Sequence, residues 1–289
     1  MQITAIFFAY GLAILSLILC WFHLSKKVLS LLITISIILA IGSNLISLIG
    51  VFFLVCLLFS IWLSNSYDKE PWSLILLVFT IVLLFLNFQH LLPGFNNFCI
   101  FRNIYISTNA IPFNLYLNYN SIVLTLFLLL LTKNIKLAKS LCAIKISIKF
   151  GLLYSLLAIF ILLLSSYFFR FIEFDFKLSN YTLIFIFVNL IFTCIPEEVF
   201  WRGFIQAKIA SYSNTTIAIL ITSSMFASIH LAFAGIYFAI LAFIASVIYG
   251  IAYSRTHRIE VSIICHYLVN IGQFIFFTYP ILISAYPNT

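Results

Sequence analysis

Three short motifs late in the chain carry residue types that can do hydrolytic chemistry. The run Ile195-Pro196-Glu197-Glu198-Val199-Phe200-Trp201-Arg202 sets two carboxylates side by side at the end of an apolar stretch. Phe226-x-x-x-His230 and His266-x-x-x-Asn270 follow it at helical spacing. The whole chain holds only 7 Asp and Glu, so an adjacent pair in such a place stands out. Ionisable groups inside a membrane cost on the order of 2.5 to 3.5 kcal/mol each and so call for a functional reason. Glu198 and Arg202 are four residues apart with the acid first, which suits an ion pair along a helix. Glu197 is turned about 100° from Glu198 and is left free to face a cavity. His266 and Asn270, one turn apart, point into one space.

A Glu in a partly dry pocket is suited to act as a general base. A neighbouring His can orient the water that the Glu deprotonates, and a His and an Asn one turn apart can donate to a developing oxyanion. Such a set would hydrolyse an amide without a Ser or Cys nucleophile. The same Glu197, His230 and His266 could instead hold a divalent metal such as zinc, with Asn270 auxiliary. The His-Glu-x-x-His signature of zinc proteases is absent. Cys194 and Cys265 lie near the polar cluster, yet a buried Cys more often serves as a small apolar side chain. The 6 cysteines form no Cys-x-x-Cys, which signals neither a disulfide framework nor a zinc ribbon.

The elements that must position these residues are membrane helices. The 289 residues are 64% hydrophobic and 8% charged, against roughly 25% charged in a soluble domain. Mean hydropathy is +1.21. Apolar runs of membrane length recur throughout, without the alternation of barrel strands. The expected fold is all-α, a polytopic integral membrane bundle of about ten transmembrane helices. The spans are read at 3–22, 28–43, 45–63, 72–90, 114–132, 150–169, 181–200, 215–233, 236–254 and 259–278. A turn near Ser213-Asn214 lies midway between Glu197 and His230, which would set the two at nearly equal depth.

The net charge of +8 does not point to nucleic acid. Lys26, Lys27, Lys69, the lysines of 133–149, Arg202, Lys208, Arg255 and Arg258 fall on one side of this topology, and Arg102, Arg170 and Lys177 on the other. That asymmetry is the positive-inside pattern of an inner (plasma) membrane protein, with both termini outside and the site toward the cytoplasmic side. His23, His90 and His257 fall near span ends and read as interfacial. Residues 91–113 read as an outside loop with turn chemistry. Residues 133–149 interleave Lys with apolar residues and suit an amphipathic helix on an anionic leaflet. They divide an N-terminal transmembrane region, 1–132, from 150–289, which holds the chemistry.

Glu-Glu-x-x-x-Arg, Phe-x-x-x-His and His-x-x-x-Asn, in this order on successive late spans, resemble the CAAX prenyl protease type II and bacteriocin-processing (CPBP, or Abi) family over roughly residues 180–275. The resemblance implies an intramembrane endopeptidase acting on membrane-associated peptides or proteins. Glu197 would activate water with the help of His230, and His266 and Asn270 would form the oxyanion pair. Glu198, Arg202 and Phe226 would be structural members of the motifs. The motifs leave glutamate and metal mechanisms open. Two rival readings are a non-catalytic membrane scaffold or bacteriocin-immunity protein on the same fold, and a proton-relaying transporter. The transporter would be expected to show repeated halves, which the sequence lacks.

Overall fold

The computed structural model describes residues 2–22, 24–66, 72–133 and 135–286. His23, read above as interfacial, and Lys69, read above as part of the positive-inside pattern, lie outside the described residues. The chain divides into two compact units, Met1–Phe98 with Leu117–Ile135, and Cys99–Tyr116 with Lys136–Thr289.

The first unit contains α1 (Gln2–Leu19), α2 (Lys26–Gly42), α3 (Leu48–Ser66), α4 (Trp72–Phe88) and α5 (Tyr119–Leu131). Every residue of α5 from Tyr119 to Leu128 is buried, so this helix is enclosed by its neighbours. Polar side chains meet at one end of the unit. Ser36 bonds to the Tyr119 hydroxyl at 2.7 Å, Tyr10 donates to the Leu117 carbonyl at 2.7 Å, and Asn97 donates to Asn120 at 3.0 Å. Such bonds hold helices together where apolar contact with lipid offers no net drive to associate. At Gly50 and Gly94 two backbones pass so closely that a Cβ on either would clash with the other, and Gly94 has φ +96°.

The second unit contains most of a two-stranded sheet, β1 (Phe98–Ile104) and β2 (Phe113–Leu117), followed by α6 (Leu141–Phe168), α7 (Thr182–Tyr212), α8 (Thr215–Thr256) and α9 (Ile259–Phe276). The hairpin is a departure from expectation. Residues 91–113 read as an irregular loop and 114–132 as a span, whereas Phe113–Leu117 is strand and the helix begins only at Tyr119. The aromatic and β-branched residues of 98–104 favour a pleated strand, and turn signals from Pro and Asn masked this. The Lys-rich segment also differs. In place of a separate amphipathic helix, residues 135–139 are irregular, Ser140 caps α6 by accepting from the Ala143 N–H at 3.2 Å, and 141–149 are the first turns of α6. The Ala138 N–H is held by Glu260 at 2.7 Å.

The expected all-helical membrane architecture is present. Leu48–Ser66, Leu141–Phe168, Thr182–Tyr212, Phe233–Thr256 and Ile259–Phe276 are long and apolar enough to cross a membrane, and Ile3–Leu19, Trp72–Phe88, Tyr119–Leu131 and Thr215–Leu231 are shorter apolar helices. α8 covers two expected spans. Its arms meet at Ala234 (φ −147°) and Gly235 (φ 76°), a break that glycine permits because it lacks a Cβ. Asn214 caps the first arm by accepting from the Ile217 N–H at 3.0 Å, which places the turn where the sequence put it.

α6 and α9 lie close because Gly151 faces Ile264. A Cβ at Gly151 would come 2.7 Å from Ile264 Cγ2. Below this contact Ala158 and Leu162 of α6, Ala245 and Tyr249 of α8 and Cys265 and Val269 of α9 form one buried cluster. That cluster is the floor on which the polar residues stand.

Candidate active site

α7 is not a uniform helix. Asn189–Cys194 and Val199–Gln206 form π-turns on either side of the four α-helical residues Ile195–Glu198. Pro196, near the start of that short segment, has no N–H to give the preceding turn, and the helix widens around it. Residues five apart point about 140° away from each other on an α-helix. In the wider turn Cys194 comes back over Asn189, donating its thiol to Asn189 Oδ1 at 3.2 Å.

Glu198 and Arg202 are completely buried. Glu198 Oε1 accepts from Arg202 Nη1 at 3.1 Å and from His266 Nδ1 at 2.8 Å. Arg202 Nη2 donates to the Ser246 carbonyl at 3.1 Å and to its hydroxyl at 2.8 Å. The guanidinium lies 5.3 Å from the ring centroids of both Phe226 and Tyr249. Charge-assisted bonds and ring faces together offset the cost of burying this cation. His266 stacks on Tyr249 at 5.0 Å with an interplanar angle of 16°, so its ring is fixed on an edge and a face.

Because a carboxylate only accepts, the proton shared with Glu198 sits on His266 Nδ1, and Nε2 is the atom left for other work. His230 is arranged alike. Its Nδ1 donates to the Phe226 carbonyl at 2.8 Å, and its ring lies between Phe226 and Phe238 at 4.7 and 5.9 Å.

His230, His266 and Asn270 line one cavity of about 110 Å³, with walls from α6, both arms of α8, and α9. Phe226, Phe238 and Tyr249 give it aromatic sides, and Gln273 adds a polar group. Asn270 Nδ2 donates to Asn189 Oδ1 at 3.4 Å. The structure therefore brings together three of the four residues expected to be catalytic. Glu197 stands apart. It is half-buried, does not line the cavity, and makes no hydrogen bond or ion pair among the described residues.

Glu198, read from sequence as the partner of Arg202 alone, is also what holds His266. Asn189, Tyr249 and Gln273 were not singled out. Gln273 carried a signal all the same, since it falls at i+7 from His266 and i+3 from Asn270 on the same face of one helix. Among the described residues no group of three or more His, Cys, Asp or Glu is arranged to hold an ion. Cys194, weighed as a ligand, is instead committed to Asn189.

These features define a multi-pass helical membrane protein with a buried acid–histidine pair beside a small cavity. Residues 179–272 match the family described as Type II CAAX prenyl endopeptidase Rce1-like, and the match supports membership of the CPBP family. No curated protein and no solved structure matches the chain. The matched segment contains all three motifs and ends just before Gln273. A membrane-embedded protease of the CAAX type is what this family implies.

Proposed function

We propose that the protein is an intramembrane endopeptidase that cleaves peptide bonds of membrane-associated peptides or proteins, in the inner (plasma) membrane and toward its cytoplasmic side. The observation that carries this reading is the buried chain Arg202–Glu198–His266, which holds one imidazole against a cavity that it shares with His230 and Asn270.

In this mechanism Glu197, free of partners, takes a proton from a water that His230 Nε2 orients. The water oxygen bonds to the substrate carbonyl carbon. The oxyanion so formed accepts hydrogen bonds from His266 Nε2–H and from Asn270 Nδ2, which exchanges its contact with Cys194 Sγ at 3.7 Å for the oxyanion while keeping the one to Asn189. For that, both His266 nitrogens carry protons, and the Glu197 and Glu198 carboxylates together stand against the Arg202 and His266 cations. Glu197 then passes its proton to the leaving nitrogen, the C–N bond breaks as the oxyanion collapses, and a carboxylic acid and an amine depart.

The test compares membrane-protein termini by mass spectrometry in cells expressing wild type or Glu197→Gln at equal levels. New termini in wild type alone are the expected result. Loss of that cleavage on adding a chelator would replace the glutamate mechanism by a metal one. The position of Glu197 off the cavity wall favours a second reading, a non-catalytic scaffold or immunity protein on the same fold. That reading predicts identical termini and equal rescue of a null phenotype by wild type and Glu197→Ala.

A further inference from the structure

We propose that Gln273 is a substrate-binding residue, presenting its side-chain carbonyl to a main-chain N–H of an extended peptide that lies along α9. The proposal rests on the endopeptidase reading above and deepens it by stating what the cavity recognises.

Gln273 lines the same cavity as His266 and Asn270 and lies three residues beyond Asn270 and seven beyond His266, on one face of α9. Its Nε2 donates to the Pro280 carbonyl at 2.6 Å. A carbonyl cannot donate, so chemistry fixes which way this amide points, and Oε1 is the atom left over. Oε1 has no partner among the described residues. A ligand that filled the cavity and gave this oxygen nothing would leave it unsatisfied, whereas a ligand with a hydrogen to give would satisfy it.

The cavity's other polar groups narrow the choice of ligand. His266 and Asn270 supply donors suited to a carbonyl oxygen, and Gln273 supplies an acceptor. A peptide main chain offers both complements at a fixed spacing, whereas a lipid acyl chain offers neither. Gln273 thus lets an apolar cavity inside a bilayer tell a polypeptide from the lipid tails around it. The rise from Asn270 to Gln273 is about 4.5 Å, and an extended chain advances about 3.3 Å per residue. The N–H that Gln273 meets therefore belongs to the first or second residue from the carbonyl held at Asn270.

The probe is a fluorescent, prenylated peptide with a C-terminal CAAX sequence, together with analogues in which one amide at a time is replaced by an ester and so lacks its N–H. Binding is read by fluorescence polarisation with full-length protein in nanodiscs, in the Glu197→Gln background so that hydrolysis does not contribute. One analogue is expected to bind about 3- to 10-fold more weakly than the parent. Gln273→Leu is expected to weaken the parent by a similar factor and to bind that analogue and the parent alike. An ester scan that is flat at every position, or a Gln273→Leu variant that retains the position-specific loss, overturns the assignment. So does failure of the parent to bind. The scan itself keeps Gln273 intact, so it decides the matter even if Gln273→Leu does not fold. A peptide bound with the expected ester pattern, yet never cleaved by protein carrying Glu197, would leave Gln273 in place and end the hydrolytic reading.

Discussion

Glu197 and Glu198 are neighbours in the chain and differ in what they bond to. Glu198 is fully buried and holds Arg202 and His266, while Glu197 is half-buried and holds nothing among the described residues. Removing one partner of a buried ion pair leaves an uncompensated charge and costs roughly 3–5 kcal/mol. Glu198→Gln is therefore expected to lower stability by that order in detergent denaturation, and Glu197→Gln by less than about 1 kcal/mol. Adding Arg202→Met to Glu198→Gln removes the stranded cation, so the double variant is expected to lose less than the sum of the two singles. Equal losses for the two Glu→Gln variants would mean that Glu198 does not carry the pair. The i,i+4 spacing of Glu198 and Arg202 was legible in sequence because a helix alone enforces it. The bond from Glu198 to His266 was not, since it joins residues 68 apart in the chain and depends on how α7 packs on α9.

At the scale of elements, small residues decide how closely helices approach. Gly151 is a close approach between α6 and α9, where an added Cβ would lie 2.7 and 2.8 Å from Ile264 Cγ2 and Cβ. The second of those atoms cannot rotate away. Gly151→Ala is thus expected to destabilise by about 1–3 kcal/mol. Gly11→Ala, with nothing within 4 Å of the new carbon, is expected to stabilise α1 by roughly 0.5–1 kcal/mol. Thermal unfolding of the two variants in the same detergent checks the contrast, and a neutral Gly151→Ala would show that α9 can yield. The second arm of α8 is joined to α7 by a polar ladder. Arg202 bonds to Ser246, and Gln206 Nε2 to the Gly250 carbonyl at 3.0 Å and the Ser254 hydroxyl at 2.9 Å. Apolar runs revealed the helices, and Ser213-Asn214 revealed the turn before α8. The hairpin and the π-turns were hidden, because short strands and widened turns leave no period in a hydropathy pattern.

For the whole molecule, the charge asymmetry of the loops makes an orientation that can be checked directly. Cys142 is exposed at the start of α6, among the lysines that the positive-inside rule assigns to the cytoplasm. In protein retaining Cys142 alone, an impermeant maleimide is expected to label inverted membrane vesicles and to spare intact cells. Labelling of intact cells would reverse the topology. Composition pointed to the membrane class, and the motifs pointed to the family whose model matches residues 179–272. What a linear reading cannot deliver is rotation about a helix axis, and here that rotation governs everything. Each π-turn holds one residue more than an α-turn and absorbs it locally, so the frame of α7 tolerates a lost residue there and nowhere else. Deleting Thr193 would let the first widened turn close to an α-turn with Glu198 still facing His266, whereas deleting a residue from an α-helical stretch would turn the parts of the helix on either side by about 100°. The Thr193 deletion is therefore expected to insert normally and to keep the wild-type termini, and their loss would show that the widened turn itself is required. A gene one triplet shorter at this point would encode a straighter helix that can still do its chemistry.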